Sequence, residues 1–291
     1  LLYQIVNANP RFGPIRLIKL DSANGFYLIW VNMCWDIPKL AVAIPMVEGT
    51  KPLLALPLVL PMVWTQCLPH FCAATKTATN MATNMRLKCQ WETEPHCLDA
   101  LADSQPAPQP TMRPARSTTA LPIPEHPPVW NWKRKMLAQF DIFVNNFIGI
   151  AQGDALRLAR VRRILMHAID DVLRPNDPLD SIHRKEPISV KKLRQGDAHW
   201  DTCKKVLGWI IDTVSMTITL PERRLSRLAD LLSNIPRTQK RMSLRRWHVL
   251  LGELRSMSLA LPGSRGLFSH LQVAIKTQRQ NRIRLHRGFH D

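Results

Sequence analysis

Between residues 105 and 128 the chain places eight prolines: Pro106, Pro108, Pro110, Pro114, Pro122, Pro124, Pro127 and Pro128. Each fixes its own φ and removes a backbone donor, so neither a helix nor a paired central strand can run through this stretch. The segment reads as an extended, exposed insertion, and any core must come from the blocks on either side of it. Those blocks are apolar enough to supply one, since 45% of all residues are hydrophobic and 21% charged, which excludes global disorder.

Before the insertion, Ile15–Asp21 alternates in character and predicts a strand ending at Asp21, and Leu40, Val42 and Ile44 predict a second, closed by Pro45. From Pro69 to about Leu87 the spacing of Phe71, Ala74, Ala78 and Met81 predicts a helix. After the insertion, Phe140–Ile150 has two β-rich arms around Asn145-Asn146, a hairpin in which the two asparagines make the turn. Asp154 is placed to cap a helix whose stripe is Leu158, Val161, Leu165, Ala168, Ile169 and Val172, with Arg157, Arg160, Arg162 and Arg163 on its other face. Val206–Leu220 is again β-like, with a turn near Asp212–Ser215.

Beyond Pro221 the pattern turns helical. Leu225, Leu228 and Leu232 repeat at helical spacing, as do Trp247, Leu250, Leu251 and Leu254 after the cap candidate Ser243, and Leu267 to about Lys276 adds a third helix. The expected organisation is therefore α+β, divided as 1–104, the 105–128 insertion, 129–220, and a helical module over 221–291.

Charge is the second constraint. Forty Lys and Arg against 22 Asp and Glu give +18. The surplus is concentrated late: residues 221–291 hold 15 basic and 4 acidic groups. A polyanionic partner, nucleic acid above all, is what such a skew implies. The cysteines (Cys34, Cys67, Cys72, Cys89, Cys97, Cys203) form no CxxC pair and read as reduced thiols of an intracellular protein, in cytoplasm or nucleus. The group Cys89, His96 and Cys97 fits no usual zinc ligand spacing. The apolar run Pro52–Trp64 is too short to span a bilayer and is broken by Pro57 and Pro61, so no membrane association is expected. The chain opens on Leu1 and reads as an internal slice of something longer.

Four stretches in order carry a resemblance: LIKLDSANGFYLIWV with Asp21 at a strand end, LPLVLPMVWTQCLPHF, FVNNFIG on a hairpin, and KVLGWIID. Together they resemble the reverse transcriptase domain of a retroelement pol polyprotein, over roughly residues 10–260. The resemblance implies a polymerase palm, an antiparallel sheet with helices on one face, followed by a basic helical thumb. A remnant of the fingers would lie in 1–104. It also implies template-directed nucleotidyl transfer with two Mg²⁺ ions, whose charge offsets that on the attacking and leaving oxygens.

On that resemblance Asp21 is the first metal carboxylate and the Ser22 carbonyl a neighbouring ligand. Phe26 becomes the bulky residue facing the nucleotide sugar, and Met62 lies beside the nucleotide. From local sequence alone, Phe26 and Tyr27 would be core aromatics. The family's aromatic–any–Asp–Asp is here Phe143-Val144-Asn145-Asn146: both catalytic carboxylates have become amides. An amide oxygen brings no negative charge, so metal binding and catalysis are expected to be impaired. Asp141 cannot substitute, being about 13 Å from Asn145 along a strand. Val63, Cys67 and Leu68 replace the family's small residues, and Lys76 an acidic one. Asp→Asn twice and Glu→Lys are changes that G-to-A transitions produce, as in a mutated copy of a mobile element.

Leu207, Gly208 and Trp209 resemble the primer-gripping turn, with a plain hairpin and a buried tryptophan as the local alternative. The segment 221–260 resembles the thumb, whose Arg223, Arg224, Arg227, Arg237, Lys240, Arg241, Arg245 and Arg246 would meet the phosphates of an RNA/DNA duplex. Arg279, Arg282, Arg284 and Arg287 read as a link to a following segment. The partners expected are nucleic acid and, if active, a deoxynucleotide triphosphate. The alternative is a non-catalytic nucleic-acid-binding remnant.

Overall fold

A computed structural model describes residues 1–32, 34–44, 53–62, 64–87, 93–104, 135–174, 186–236, 238–257, 264–276 and 281–285. The 105–128 insertion, Val63, Cys89, Arg237, Arg279 and Arg287 lie outside the described residues. The chain forms two compact units. One holds the described residues of Leu1–Gln109, Ile123–Val206 and Asp212–Met216, the other those of Leu207–Ile211 and Thr217–Asp291.

The elements run in this order: α1 (Leu2–Val6), β1 (Arg16–Asp21), α2 (Ile37–Leu40), β2 (Val42–Ile44), β3 (Leu53–Ala55), α3 (Cys67–Asn80), α4 (Asp99–Ala102), β4 (Ala138–Phe143), β5 (Asn146–Ala151), α5 (Ala155–Leu173), α6 (Val190–Arg194), β6 (Cys203–Val206), β7 (Trp209–Asp212), β8 (Thr217–Thr219), α7 (Glu222–Ser233), β9 (Arg241–Ser243), α8 (Leu244–Met257), α9 (Ser264–Lys276) and β10 (Arg282–Arg284). The architecture is α+β with antiparallel sheets, as expected.

In the first unit β5 is central, between β1 and β4, and both pairings are antiparallel. Successive side chains of a strand alternate faces, so one face carries Ile18, Leu20, Phe140, Phe147 and Ala151. These pack against Leu158, Val161, Leu165, Ala168 and Ile169 of α5 and Ala78 of α3. Each fully buried Leu, Ile or Phe contributes about 1.5–3 kcal/mol, which makes this layer the main stabiliser of the unit. α5 begins where expected, its Asp154 carboxylate accepting from the Arg157 N–H at 2.8 Å. The predicted Pro69–Leu87 helix is α3 plus a π-helical turn over Met81–Arg86.

One expectation is corrected here. Leu40 ends α2 and is not part of the second strand, because Pro38 in the first turn favours the short helix. The arginine face of α5 is partly covered by α4. Arg162 is 2% exposed; it donates to the Ala102 carbonyl at 3.2 Å and to Asp103 at 2.6 Å, while Arg163 pairs with Asp99 at 2.6 Å. A helix folded against the sheet leaves its flank to be covered by α4, and the buried guanidinium then needs acceptors.

The turn near Asp212–Ser215 is present as predicted. In the second unit, Trp247, Leu250 and Leu251 of α8 form a core with Ile235, Met242 and Ile283. Ser243 accepts from the Arg246 N–H at 3.4 Å, the expected cap. α9 covers the third predicted helix. α7 is the exception: it buries no residue fully, and Leu232 is 44% exposed.

Candidate functional site

The hairpin of β4 and β5 and the end of β1 meet at one place. Asp21 is directly opposite Asn146 in the β1–β5 ladder, and Phe143 is opposite Asn146 in the β4–β5 ladder. The Ser22 N–H donates to the Asn145 carbonyl at 3.0 Å, which fixes the hairpin tip to the strand end. The pleat puts Asp21, Asn146, Phe143 and Lys19 on the face turned away from the α5 core. Asp21 and the adjacent pair Asn145-Asn146, far apart in sequence, are thus brought together.

The turn itself differs from expectation. Its two central residues are Val144 and Asn145, with Asn146 already in β5. Val144 has φ of 57°, and it is Val144, not an asparagine, that carries the positive φ. A β-branched residue there is a strained outlier, held because Val144 also packs on the cluster of Val31, Ile37, Leu60, Cys67 and Phe71. Burial of the valine side chain on this cluster offsets the backbone cost.

Phe26 belongs to the same cluster, its ring centroid 4.2 Å from that of Phe71. It sits in a 3₁₀ turn, Gly25–Leu28, preceded by Asn24 at φ 52°. Gly25 is required by close approach: a Cβ there would meet the Phe71 ring at 2.5 Å and the Ser22 hydroxyl at 2.7 Å. Phe26 is therefore half-buried core and sits on the cluster that also seats the hairpin tip. Tyr27, by contrast, is 48% exposed, which corrects the reading of it as a core aromatic. Met62 is 59% exposed, and its carbonyl accepts from the Cys67 thiol.

Asp21 Oδ1 is buried without a hydrogen-bond partner, as is Ser22 Oγ. Burial pushes the Asp21 carboxyl above its usual range; Lys19 opposes this, Asp197 adds to it and Lys192 opposes it. Lys19 is itself paired with Asp197 at 2.9 Å. Asn146 Nδ2 donates to Asn145 Oδ1 at 2.8 Å, which joins the two amides. Asp197, Lys19 and Lys192 were not anticipated: nothing in local sequence marks them, and only the loop returning alongside β1 brings Asp197 near, its carbonyl accepting from the Lys19 N–H at 3.0 Å. Asp141 lies two residues back along β4, opposite Ile148, away from Asp21's partner.

A pair of Mg²⁺ ions needs several anionic oxygens in octahedral reach. The donor set here is one carboxylate, two uncharged amides joined by one hydrogen bond, and a second carboxylate already held by a lysine. Among the described residues no group of three His, Cys, Asp or Glu could hold a metal ion. These residues do not fit a two-ion centre. His96, the histidine of the Cys89–Cys97 group, instead pairs with Asp170 at 3.0 Å.

The second unit holds the other predicted residues. Leu207 (φ 50°) and Gly208 (φ 81°) form a two-residue turn, Leu207 being 43% exposed. Trp209 is 8% exposed, a buried tryptophan and not a surface for a strand to rest on. Arg224 donates to the Gly208 carbonyl at 3.2 Å and to the Ser256 hydroxyl, and it lies 4.0 Å from Glu253. Its guanidinium is thus committed within the unit and is not the free phosphate ligand expected. A Cβ on Gly208 would sit 2.8 Å from that guanidinium. Arg227 pairs with Glu253 at 2.8 Å while staying 62% exposed. Arg223, Lys240, Arg241 and Arg245 are exposed, whereas Arg246 reaches the Asn234 carbonyl.

No helix among the described residues is long and apolar enough to cross a membrane. No protein-family model matches the chain, and no curated protein matches it. Among solved structures it is similar to one described as the foamy viral protease-reverse transcriptase dRH in complex with ds DNA, at TM-score 0.49 and 12% identity. The alignment covers 99% of this chain and 35% of that one, so this chain spans about a third of that protein's length.

Proposed function

We propose that this chain is a reverse-transcriptase-like domain of a retrotransposon that binds nucleic acid and no longer transfers nucleotides efficiently. The observation that carries the reading is the register of the first sheet: Asp21 faces Asn146, with Asn145 tethered to Ser22. This is where a polymerase of this type keeps its carboxylates, and two of them are amides here. On this reading residues 1–104 and 129–220 make the palm, with a fingers remnant early, and 221–291 the thumb. Ser22, Phe26 and Met62 border the nucleotide position. Leu207, Gly208 and the exposed Arg223, Arg227, Lys240, Arg241 and Arg245 meet primer and template.

Two negative charges fewer around a site for two divalent ions weaken Mg²⁺ binding, and with it the electrostatic stabilisation on which phosphoryl transfer depends. What persists is a sequence-blind attraction to phosphates from a surface carrying 15 basic against 4 acidic residues over 221–291.

The test pairs primer extension in Mg²⁺ or Mn²⁺ with duplex binding, for the unaltered chain and an Asn145→Asp, Asn146→Asp variant. The expected result is duplex binding by both and extension by the variant alone. Extension by the unaltered chain at the variant's rate overturns the loss of transfer. Absence of duplex binding by both overturns the nucleic-acid reading.

A further inference from the structure

We infer that the outer face of the β9–β10 ribbon is a phosphodiester-binding surface that follows the backbone of a nucleic-acid duplex. The inference rests on the nucleic-acid reading above and names the residues that carry it. Two of them, Arg282 and Arg284, looked in sequence like part of a basic linker; they are in fact a strand paired with β9.

The ribbon is two-faced. Met242 is 2% exposed and Ile283 1%, both in the core with Trp247 and Leu250. By the alternation of a strand, Arg241, Ser243, Arg282 and Arg284 point the other way, and the three arginines are exposed. The ladder is continued on both sides, by the Leu285 N–H to the Lys240 carbonyl and the Leu244 N–H to the Asn281 carbonyl, each at 3.0 Å. The ribbon is therefore a fixed platform whose inner residues are locked in the core.

Its register sets Arg284 directly opposite Arg241. Like charges in that position destabilise a sheet. Among the described residues no carboxylate pairs with Arg241, Arg282 or Arg284. Glu253 is taken by Arg224 and Arg227, and Glu222 and Asp230 lie on α7. Among the described residues nothing relieves this cationic couple; an anion lying across it removes the repulsion.

The guanidinium fork suits phosphate oxygens, which it can engage in pairs. Arg282 and Arg284 are two residues apart on one strand, about 6.6 Å, a span comparable to that between successive phosphates of one nucleic-acid strand. Arg241 adds a third cation across the ladder. Three exposed cations on one face of the ribbon, two along β10 and one across the ladder, match a polyanion better than a single phosphate. Arg245, exposed in the first turn of α8, continues the surface.

The experiment measures binding of a fluorescent RNA/DNA duplex to the full chain between about 50 and 200 mM salt. It compares the parent, an Arg241→Ala, Arg282→Ala, Arg284→Ala variant, and the three corresponding lysine substitutions. In the alanine variant the slope of log K against log salt is expected to fall by about two to three units, at about 0.9 for each phosphate no longer neutralised, and affinity by at least about tenfold. The lysine variant keeps the slope and loses less affinity. Thermal melting of the free alanine variant is expected at or above the parent's temperature, since the like-charge couple is gone, and this separates weaker phosphate binding from a damaged fold. An unchanged slope in an alanine variant of a parent that binds duplex overturns the inference alone. A parent that binds no duplex overturns the proposed function and the ribbon together; binding to an acidic peptide or anionic vesicle without binding to duplex does the same.

Discussion

The two units use the same residue type in opposite ways. In the first, a subset of the basic residues turns inward: Arg162 is buried against α4, Arg163 holds Asp99, Arg174 bridges Asp170 and Glu186, and Lys19 holds Asp197, while others such as Lys76, Lys191 and Arg194 are exposed. In the second, Arg223, Lys240, Arg241, Arg245, Arg282 and Arg284 point outward, and Arg224 and Arg227 share the one acid of α8. A charge count therefore measures a surface only after the fold has decided which cations have internal acceptors. The first unit commits some of its basic residues to internal ion pairs; the second leaves more of its own exposed.

The largest expected effect that tests this contrast is on stability of the first unit. Arg162→Ala removes the donor to Asp103 and leaves the Ala102 carbonyl without its partner, at a cost of about 3 kcal/mol. Chemical denaturation followed by Trp200 fluorescence, whose indole bonds the Leu158 carbonyl on α5, reads it. A cost below about 1 kcal/mol would mean that the guanidinium is not structurally engaged.

Next is Arg224→Ala in the second unit, an arginine there held internally like those named in the first. Loss of its bonds to Gly208 and Ser256 is expected to cost about 1–3 kcal/mol. Hydrogen exchange at the Leu207-Gly208 turn should rise in step, and Arg224→Lys should not restore it, since lysine lacks the planar fork.

A smaller effect is expected at Asp21. Its folded pKa is raised, so the acid is stabilised in its neutral form. That contribution is full below the unfolded value of 3.8 and is lost as pH rises through the folded value. Asp21→Asn should therefore be neutral to slightly stabilising at pH 7, by less than about 1 kcal/mol given solvent screening. It should also flatten the melting temperature against pH in the window above 3.8. A marked loss of stability at pH 7 would show that the ionised carboxylate is held by Lys19 and Lys192 more strongly than burial opposes it.

The smallest expected effect is at Arg223 and Arg245. Alanine at either should leave stability within about 0.5 kcal/mol while lowering duplex affinity. Destabilisation beyond that would erase the distinction between the two units.

Local pattern already contained β1, the 138–151 hairpin, α5 with its Asp154 cap, and the Trp247–Leu251 stripe of α8, because period and capping are properties of neighbouring residues. The order of short motifs also pointed to Asp21 and Asn145-Asn146 as one site. The turn register was less accessible: two asparagines are the better turn formers, yet Val144 takes the positive φ because packing on the Phe71 cluster pins the tip one residue earlier.

What the sequence determined by itself is chemistry and periodicity: an α+β chain, a basic C-terminal part, and a candidate site with one carboxylate where its resemblance expects three. What only the tertiary structure decided is pairing between distant segments. Asp197 beside Lys19, Arg162 under α4, Arg224 on Gly208, and Arg284 across from Arg241 all depend on which strands and helices become neighbours. Such neighbours are selected by the burial of whole apolar faces, a property summed over many residues, so no local motif announces them.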